Sequence, residues 1–367
     1  MKINSITYIS CSTVPSVFAN SVHVMKMCNS FSARGVKVTL VCKQSQEWHG
    51  EQDALDSYNC NNGFKLAAFR IRTRGLLFSL SYIFFAMYHV KRAKGVVYAR
   101  YFYPLFPLFF SRKPYILEFH NDINKIDKFI ALRLMKRSSC RQLVFISEAL
   151  KNHFVKEYGA NEEICSVLPD ACDVATDTGG SNSTDVGYVG HLYSGRGIEL
   201  LEKVAKKLPN VIFHIIGGKE PELSQFRSSS PDNMIFYGAV RHSDLPNYYK
   251  KFSIALAPYQ EKIFSADKRC ETSSYCSPMK LFEYMSYKKA IICSDLPVFH
   301  EVGNNLVDLL FVNSSDVDGW VEAIKKLLLD VNLRDFLINN SYERFIHRYT
   351  WIGRVDSILN YLSDSNP

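Results

Sequence analysis

The chain of 367 residues is long enough for two domains of roughly 150 residues each. Its hydrophobic (47%) and charged (22%) fractions are those of an ordinary folded protein, and they exclude wholesale disorder and fibrous architectures. A formal net charge of +8 favours anionic partners such as phosphorylated metabolites, acidic lipid or nucleic acid.

The ten cysteines include no C-x-x-C pair, which indicates a reduced, cytoplasmic protein and not a disulfide framework or zinc site. Polar residues interrupt the first 19 positions, so we predict no signal peptide. The apolar stretch 75–90 is shorter than the roughly 20 residues that span a bilayer. Because basic residues flank it, we predict an interfacial or packed helix there.

Short apolar runs alternate with helical patterns, which is typical of parallel sheets built from βαβ units. In the first half, helical patterns cover 19–34 and 148–158, the second beginning at a plausible N-cap, Ser147. The predicted strands of this half are INSITYIS, VKVTLV, FKLAAF, VVYAR, PYILEF, QLVFIS and ICSVLP.

Residues 174–185 lose all apolar periodicity and predict a linker, with a domain boundary near 175. Helices are then predicted over 196–207, through LPNYYKKF and from Ser277, with two or three more at the end of the chain. The strands of this half are VGYVG, VIFHIIGG, NMIFYG, SIALAP, AIICSD and LLFV. The pattern predicts two doubly wound, Rossmann-like domains, with ligands bound in a cleft at the carboxyl ends of the sheets.

The segment 271–295, ETSSYCSPMKLFEYMSYKKAIICSD, predicts a helix with Ser277 as N-cap and Pro278 as first residue. The free amides of such a helix start suit a phosphate. Lys280 lies in the first turn, and Glu283 shares its face and can accept hydrogen bonds from ribose hydroxyls. A capped surface helix with an exposed Lys–Glu pair is the alternative.

A second motif, VGYVGHLYSGRGIELL, ends a strand at Gly190 and enters a helix through Gly195, Arg196 and Gly197. Glycines let a backbone approach a ligand closely, and the planar fork of Arg196 suits a diphosphate. An ordinary βα loop is the alternative.

Glu118 and His120 end the strand PYILEFH and, two residues apart, face the same side of the sheet. Asp316 and Asp318 form a D-x-D, which is typical of metal binding but also of a helix N-cap; we favour the cap and predict no metal. The other histidines show no ligand spacing.

The basic and aromatic region 91–115 can be packed core with solvated charges, a face for anionic membrane, or a nucleic-acid surface. No recognisable nucleic-acid module is present. We favour core packing with a modest membrane contribution.

In order and spacing these segments resemble the retaining GT-B glycosyltransferases of the family 4 (group 1) type, over nearly the whole chain. The resemblance is carried by SVHVMKMCNSFSARGVKVTLV, LVFISEAL, VGHLYSGRGIELL, FHIIGG, IFYGAV, YYKKFSIALAPY and SPMKLFEYMSYKKAIICSDLPVFHEV. It implies an α/β GT-B fold of two Rossmann-like domains facing a central cleft: 1–175 on the acceptor side and 176–347 binding a nucleotide-sugar. The last segment, 348–367, has an apolar stripe and is expected to cross back onto the N-terminal domain.

The resemblance further implies sugar transfer, with retention, from a nucleotide-sugar to a lipid-linked saccharide in surface polysaccharide assembly. No metal or cofactor is implied, nucleic acid is not expected, and the protein would be cytoplasmic and peripherally bound to the inner, anionic membrane face. The implied catalytic residues are His120, Glu118, Arg196 and Lys280. The implied donor-binding residues are Gly190, His191, Arg196, Gly217, Val240, Ser277, Met279, Lys280, Leu281 and Glu283.

Three positions depart from the family pattern. Glu283 matches the second Glu of its E-x7-E motif, but Tyr275 stands in place of the first. His191 stands where a second basic residue is expected, so Lys280 is the candidate for that charge. The first strand is followed by SVFANS and not by a Gly-Gly loop. A nucleotide-sugar epimerase stays an alternative because it shares the GT-B architecture. Tyr275 and His191 also leave open a non-catalytic nucleotide-sugar-binding protein.

Overall fold

The computed structural model of the chain describes residues 3–16, 18–61, 63–70, 76–123, 125–177, 183–241, 244–262, 275 and 277–364. Predictions for residues 71–75, for 178–182 of the linker and for 271–274 and 276 of the motif lie outside the described residues. The chain divides into two units, one formed by Met1–Pro169 with Trp351–Pro367 and the other by Asp170–Thr350.

The first unit is built on a seven-stranded sheet in the order β3-β2-β1-β4-β5-β6-β7, and its ladders are parallel. Every strand predicted in this half is confirmed. Their bounds are β1 Ser5–Val14, β2 Lys37–Gln44, β3 Lys65–Phe69, β4 Val96–Ala99, β5 Tyr115–Phe119, β6 Cys140–Phe145 and β7 Cys165–Val167. Strands β4 and β5 are buried on both faces, which explains their nearly continuous apolar runs.

Helices connect these strands: α1 Ala19–Ala33, α2 Glu51–Asp56, α3 Leu76–Arg92, α4 Lys125–Met135 and α5 Glu148–Tyr158. Two 3-10 helices cover Tyr103–Phe110 and Glu162–Ile164. The predicted N-cap of α5 is confirmed, because the Ser147 side chain accepts a hydrogen bond from the Leu150 amide at 3.3 Å.

The second unit contains a parallel six-stranded sheet in the order β10-β9-β8-β11-β12-β13, which is the Rossmann strand order. The strands are β8 Val186–Val189, β9 Phe213–Ile216, β10 Met234–Gly238, β11 Ile254–Ala257, β12 Ala290–Ser294 and β13 Leu310–Val312. The helices are α6 Ile198–Lys207, α7 Glu222–Ser229, α8 Leu245–Tyr249, α9 Met279–Ser286, α10 Pro297–His300, α11 Val317–Leu329 and α12 Val331–Arg348.

Alternate residues of these strands fill two cores, one on each face of the sheet. In β12, Ala290 and Ile292 belong to one cluster, whereas Ile291 and Cys293 belong to the other. The order of the strands reverses between β8 and β11, and ligands of such folds bind at the carboxyl ends of the strands on either side of that point.

One predicted cap is wrong and another is confirmed. Helix α9 begins at Met279, so Pro278 and not Ser277 is its N-cap. The Ser277 hydroxyl accepts a hydrogen bond from the Asp170 amide at 2.8 Å and caps no amide of the helix. Asp316 does cap α11, accepting from the Gly319 amide at 2.9 Å, while Asp318 pairs with Lys207 at 2.5 Å.

The last helix, α13 (Trp351–Asp364), belongs to the first unit and packs on α1. Its apolar stripe is buried at Trp351, Val355, Ile358 and Leu362. An exposed pair also joins the two helices, since the Arg34 guanidinium donates two hydrogen bonds of 2.6 Å to Asp356. In the part of the chain that is described, no helix is long and apolar enough to cross a membrane.

Candidate functional site

Two cations of the second unit share one aromatic ring at the strand-order reversal. Tyr259 follows β11, and its ring centre lies 4.8 Å from Lys280 Nζ and 4.8 Å from Arg196 Cζ. Lys280 Nζ also lies 3.8 Å from the ring centre of Tyr188 in β8. The fold therefore brings together the two basic residues that the sequence assigned to a diphosphate.

The Lys280 ammonium is buried, and among the described residues no acceptor lies within hydrogen-bonding distance of it. Burial, reinforced by the nearby Arg196, holds the pKa of Lys280 well below its ordinary value, and Glu283 opposes this only in part. A buried donor without an acceptor is costly, so this position suits an anion that supplies the acceptor.

Gly190, directly after β8, has no side chain that would collide with Lys280. A Cβ at this position would lie 2.8 Å from Lys280 Nζ. The loop after β9 is equally close, because a Cβ at Gly217 would lie 2.1 Å from the Gly190 carbonyl oxygen. Both predicted glycines thus permit a close approach of backbone and side chain around the ammonium.

His191 lies in a strongly positive region. Burial lowers its pKa from 6.5 to about 4, and the charges of Arg196, Lys280 and Lys219 act in the same direction. Its ring stacks on Tyr193, with ring centres 4.8 Å apart. His191 is therefore neutral near pH 7 without a ligand, and Lys280 occupies the place of the second cation.

Other predicted donor residues lie along α9. Glu283 is half-buried and accepts a hydrogen bond from the Tyr249 hydroxyl at 3.2 Å. The Met279 amide donates to the Ser277 carbonyl at 3.0 Å and the Leu281 amide to that of Pro278 at 2.9 Å, so these two amides are already used within the turn. The expectation that the amides of this helix start are free for a phosphate is corrected for these two amides.

Two predicted side chains contribute packing. Leu281 is fully buried in the core, so its side chain cannot contact a ligand. Val240 follows β10, is half-buried and packs against the same cluster.

In the first unit, Glu118 and His120 do share one side of the sheet, but they differ in access. The Glu118 side chain has no exposed surface, whereas that of His120 is 19% exposed, and His120 Nε2 lies 2.5 Å from a Glu118 oxygen. The expectation that Glu118 is a catalytic residue is therefore corrected, because its carboxylate is wholly enclosed by protein groups.

Burial works to raise the pKa of Glu118, but Arg354, His23 and His120 outweigh it and hold that pKa well below its ordinary value. Arg354 is the partner of Glu118 that sequence reasoning missed. The available signals were an acidic residue inside a buried strand and an arginine on the apolar stripe of α13, each of which requires a partner.

Comparisons with known proteins cover most of the chain. Residues 21–176 match the family model described as Glycosyltransferase Family 4, and residues 183–330 match the one described as Glycosyl transferases group 1. Among curated proteins, no sequence matches.

Similar solved structures include HepE of Anabaena in complex with UDP and glucose, with a TM-score of 0.72 and 14% identity over 98% of this chain and 99% of that one. A glycosyltransferase from Rickettsia africae has a TM-score of 0.73 and 13% identity over the full length of both chains. The lipopolysaccharide outer core galactosyltransferase WaaB has a TM-score of 0.67 and 14% identity over 99% of this chain and 100% of that one.

The two parallel sheets and these similar structures define the GT-B glycosyltransferase fold. With both of its halves matched, the chain belongs to the family 4 (group 1) glycosyltransferases, which makes it an enzyme of glycosyl transfer.

Proposed function

We propose that the protein is a retaining glycosyltransferase that moves a sugar from a nucleotide-sugar to a lipid-linked saccharide in surface polysaccharide assembly. The observation that carries the proposal is the buried Lys280 ammonium, which has no acceptor among the described residues and lies beside Arg196 at the strand-order reversal. A nucleoside diphosphate is the anion that matches this place by charge and by fold.

The chemical cost of the reaction is negative charge that builds on the departing diphosphate. Lys280 and Arg196 are held in place before the reaction, so they stabilise that charge without reorganising. Because the donor diphosphate binds the second unit in this proposal, we assign the acceptor to the first. His120 orients the transferred sugar, and the leaving phosphate helps to deprotonate the acceptor, as the family resemblance implies.

Two similar proteins support the choice of substrates. HepE is described in complex with UDP-glucose, which supports a nucleotide-sugar donor. WaaB is described as a lipopolysaccharide outer core galactosyltransferase, which supports a saccharide carried on lipid as acceptor.

The donor is tested by screening UDP-, GDP- and ADP-sugars for thermal stabilisation, followed by turnover with the best binder and a bacterial lipid-linked saccharide fraction. Proton NMR of the product should show the anomeric configuration of the donor. Isomerisation of the donor without acceptor would make the protein an epimerase. Binding without any turnover would make it a binding protein, and an inverted product would contradict retention.

We also propose that the protein binds the inner, cytoplasmic face of an anionic membrane through α3. Apolar residues spaced four apart form two stripes on opposite sides of this helix. The buried stripe is Tyr82, Ala86 and Val90. The other stripe is between 42% and 75% exposed and consists of Leu76, Leu80, Phe84 and Tyr88.

Basic residues flank this exposed stripe in the sequence, which favours an anionic lipid surface over a protein partner of neutral charge. Arg70 precedes the helix, and Lys91, Arg92 and Lys94 are exposed at and just beyond its end. An apolar face flanked by cations is attracted to acidic lipid by about 1 kcal/mol per charge near the surface. The aromatic 3-10 helix packed on α3 adds the exposed Phe106 and Phe110.

The membrane proposal is tested by cosedimentation with vesicles of phosphatidylglycerol and of phosphatidylcholine. We expect binding to the anionic vesicles alone, and its loss in a variant carrying Leu76→Gln, Leu80→Gln and Phe84→Gln. Leu329→Gln is the matched control, because Leu329 is 84% exposed on the second unit. Equal sedimentation of the triple variant and the wild type would contradict the role of α3.

A further inference from the structure

The Glu118 carboxylate is a buried anion that gathers groups from distant parts of the first unit. Hydrogen-bond and charge partners reach it from β1, α1, β4, the segment after each of β4 and β5, and α13. They are Tyr8, His23, Tyr98, Arg100, His120 and Arg354. A buried carboxylate needs such partners to remain ionised.

Arg354 is a partner that donates hydrogen bonds to the backbone as well as to Glu118. Its Nη2 donates to a Glu118 oxygen at 3.1 Å and to the Leu168 carbonyl at 2.9 Å, while its Nε donates to the Pro169 carbonyl at 2.8 Å. Its side chain is 1% exposed. The planar guanidinium therefore fixes the carboxylate from a helix that lies 236 positions later in the chain.

His120 is the most exposed member of this cluster. Its side chain is 19% exposed, against 11% for Arg100 and at most 1% for His23, Glu118 and Arg354. An ionised carboxylate only accepts hydrogen bonds, so the Nε2 atom facing Glu118 at 2.5 Å must carry a proton. The carboxylate thus determines how the imidazole is presented to a substrate.

We propose that Arg354 is a positioning residue: through Glu118 it holds the proton on Nε2 of His120 and fixes the direction of the ring. The proposal rests on the proposed function, in which His120 orients the transferred sugar. Without Arg354 the carboxylate loses the guanidinium that is hydrogen-bonded to it and keeps Arg100, 3.9 Å away, as its remaining permanent counter-charge. It then either takes up a proton or turns away, which releases the ring. An arginine with a purely structural role would change stability and leave the protonated nitrogen of His120 unchanged.

The test compares Arg354→Met, Glu118→Gln and the double variant in the full-length protein. Nitrogen NMR of labelled histidine, with His120→Gln used to assign the resonance, reports which ring nitrogen of His120 carries a proton in the free protein. Asp356→Asn is the matched control, because it breaks the exposed tether of α13 to Arg34 and leaves the Glu118 cluster intact.

We expect Nε2 of His120 to be protonated in the wild type and in Asp356→Asn, and unprotonated in Arg354→Met. In Glu118→Gln the amide oxygen still accepts a hydrogen bond from Nε2, so this variant is compared through kcat. In both cluster variants kcat should fall by about tenfold or more while KM for the donor changes less than about threefold. Because Arg354 acts through Glu118, adding Arg354→Met to Glu118→Gln should lower kcat by less than about threefold further.

A folded Arg354→Met protein that keeps the Nε2 proton would overturn the proposal, and so would a further tenfold fall of kcat in the double variant. If Arg354→Met does not fold, the double variant decides, since it removes both buried charges together. If no sugar transfer is found with any donor, the proposed function fails, while the NMR comparison still decides the claim about Arg354.

Discussion

Lys280 and His191 are two bases held near a surplus of positive charge. Burial and neighbouring cations lower the pKa of both, to about 4 for His191 and well below the ordinary lysine value for Lys280. A bound diphosphate places negative charge beside them and raises both pKa values again. Donor binding should therefore take up protons.

The first prediction is proton uptake on the order of one per ligand when a nucleotide-sugar binds near pH 6, with affinity rising as the pH falls from 7 towards 5. Calorimetry in buffers of different ionisation enthalpy measures it. His191→Gln should remove the part of the uptake below pH 6. A binding heat that does not depend on the buffer would contradict the prediction.

The ligand-free protein should show the opposite trend in stability. His191 is protonated less readily when folded than when unfolded, so its contribution to stability is present above its unfolded pKa of 6.5 and is lost as the pH falls towards about 4. Melting temperature against pH, compared between wild type and His191→Gln, tests this sign.

A second prediction separates function from stability at one residue. Lys280→Met should lower turnover by about two to four powers of ten, because transition-state charge on the diphosphate loses a partner. The melting temperature should not fall, since the substitution removes a buried donor group that has no acceptor among the described residues. Arg196→Ala should lower turnover similarly.

Lys288→Met is the matched control for Lys280→Met, because Lys288 is exposed just beyond α9. Wild-type turnover in both the Lys280 and Arg196 variants would contradict the diphosphate assignment.

At the scale of elements, α13 stabilises the first unit in two ways. It buries four large apolar side chains, each contributing about 1.5–3 kcal/mol, and it brings Arg354 to the buried Glu118. Removing one partner of a buried ion pair costs about 3–5 kcal/mol in addition.

The third prediction is that deleting residues 348–367 lowers both the melting temperature and turnover. Thermal unfolding and an activity assay at low temperature measure the two effects. Ser357→Ala, on the exposed face of the helix, should leave both unchanged. A truncated protein with unchanged melting and activity would show that the first unit does not depend on α13.

Periodicity predicted the strands of both units because parallel strands are buried on two faces and read as short apolar runs. Local chemistry was less reliable. Ser147 caps its helix as predicted, but Ser277 does not, because a backbone amide from elsewhere in the unit uses its hydroxyl. The 3-10 helix Tyr103–Phe110 was not predicted, since its two prolines and aromatic run show no helical period.

The candidate site was predictable where one loop or helix start carries the chemistry, as at Gly190, Arg196 and Lys280. It was not predictable where partners are distant in sequence. The sequence indicates that Glu118 and Arg354 each need a partner, but it does not pair the two, because the contact depends on tertiary packing. The burial of Leu281 also depends on tertiary packing, so its place between predicted donor residues did not identify it as a core residue.

At the scale of the whole molecule, the fourth prediction concerns metal. We expect turnover to survive EDTA, because Lys280 and Arg196 provide the positive charge that a cation would otherwise supply. In the D-x-D of the sequence, Asp316 caps α11 and Asp318 pairs with Lys207. Activity lost on chelation and restored by Mg²⁺ or Mn²⁺ would contradict this reading.

The return of the chain to the first unit at Trp351 also has a consequence for synthesis on the ribosome. The segment Asp170–Thr350 is translated between the first unit's sheet and its last helix, a delay of roughly 10–40 s at roughly 5–20 residues per second. During that interval the nascent first unit lacks α13 and the arginine that neutralises its buried glutamate. It is therefore expected to be open to chaperones and proteases until the rest of the chain has left the ribosome.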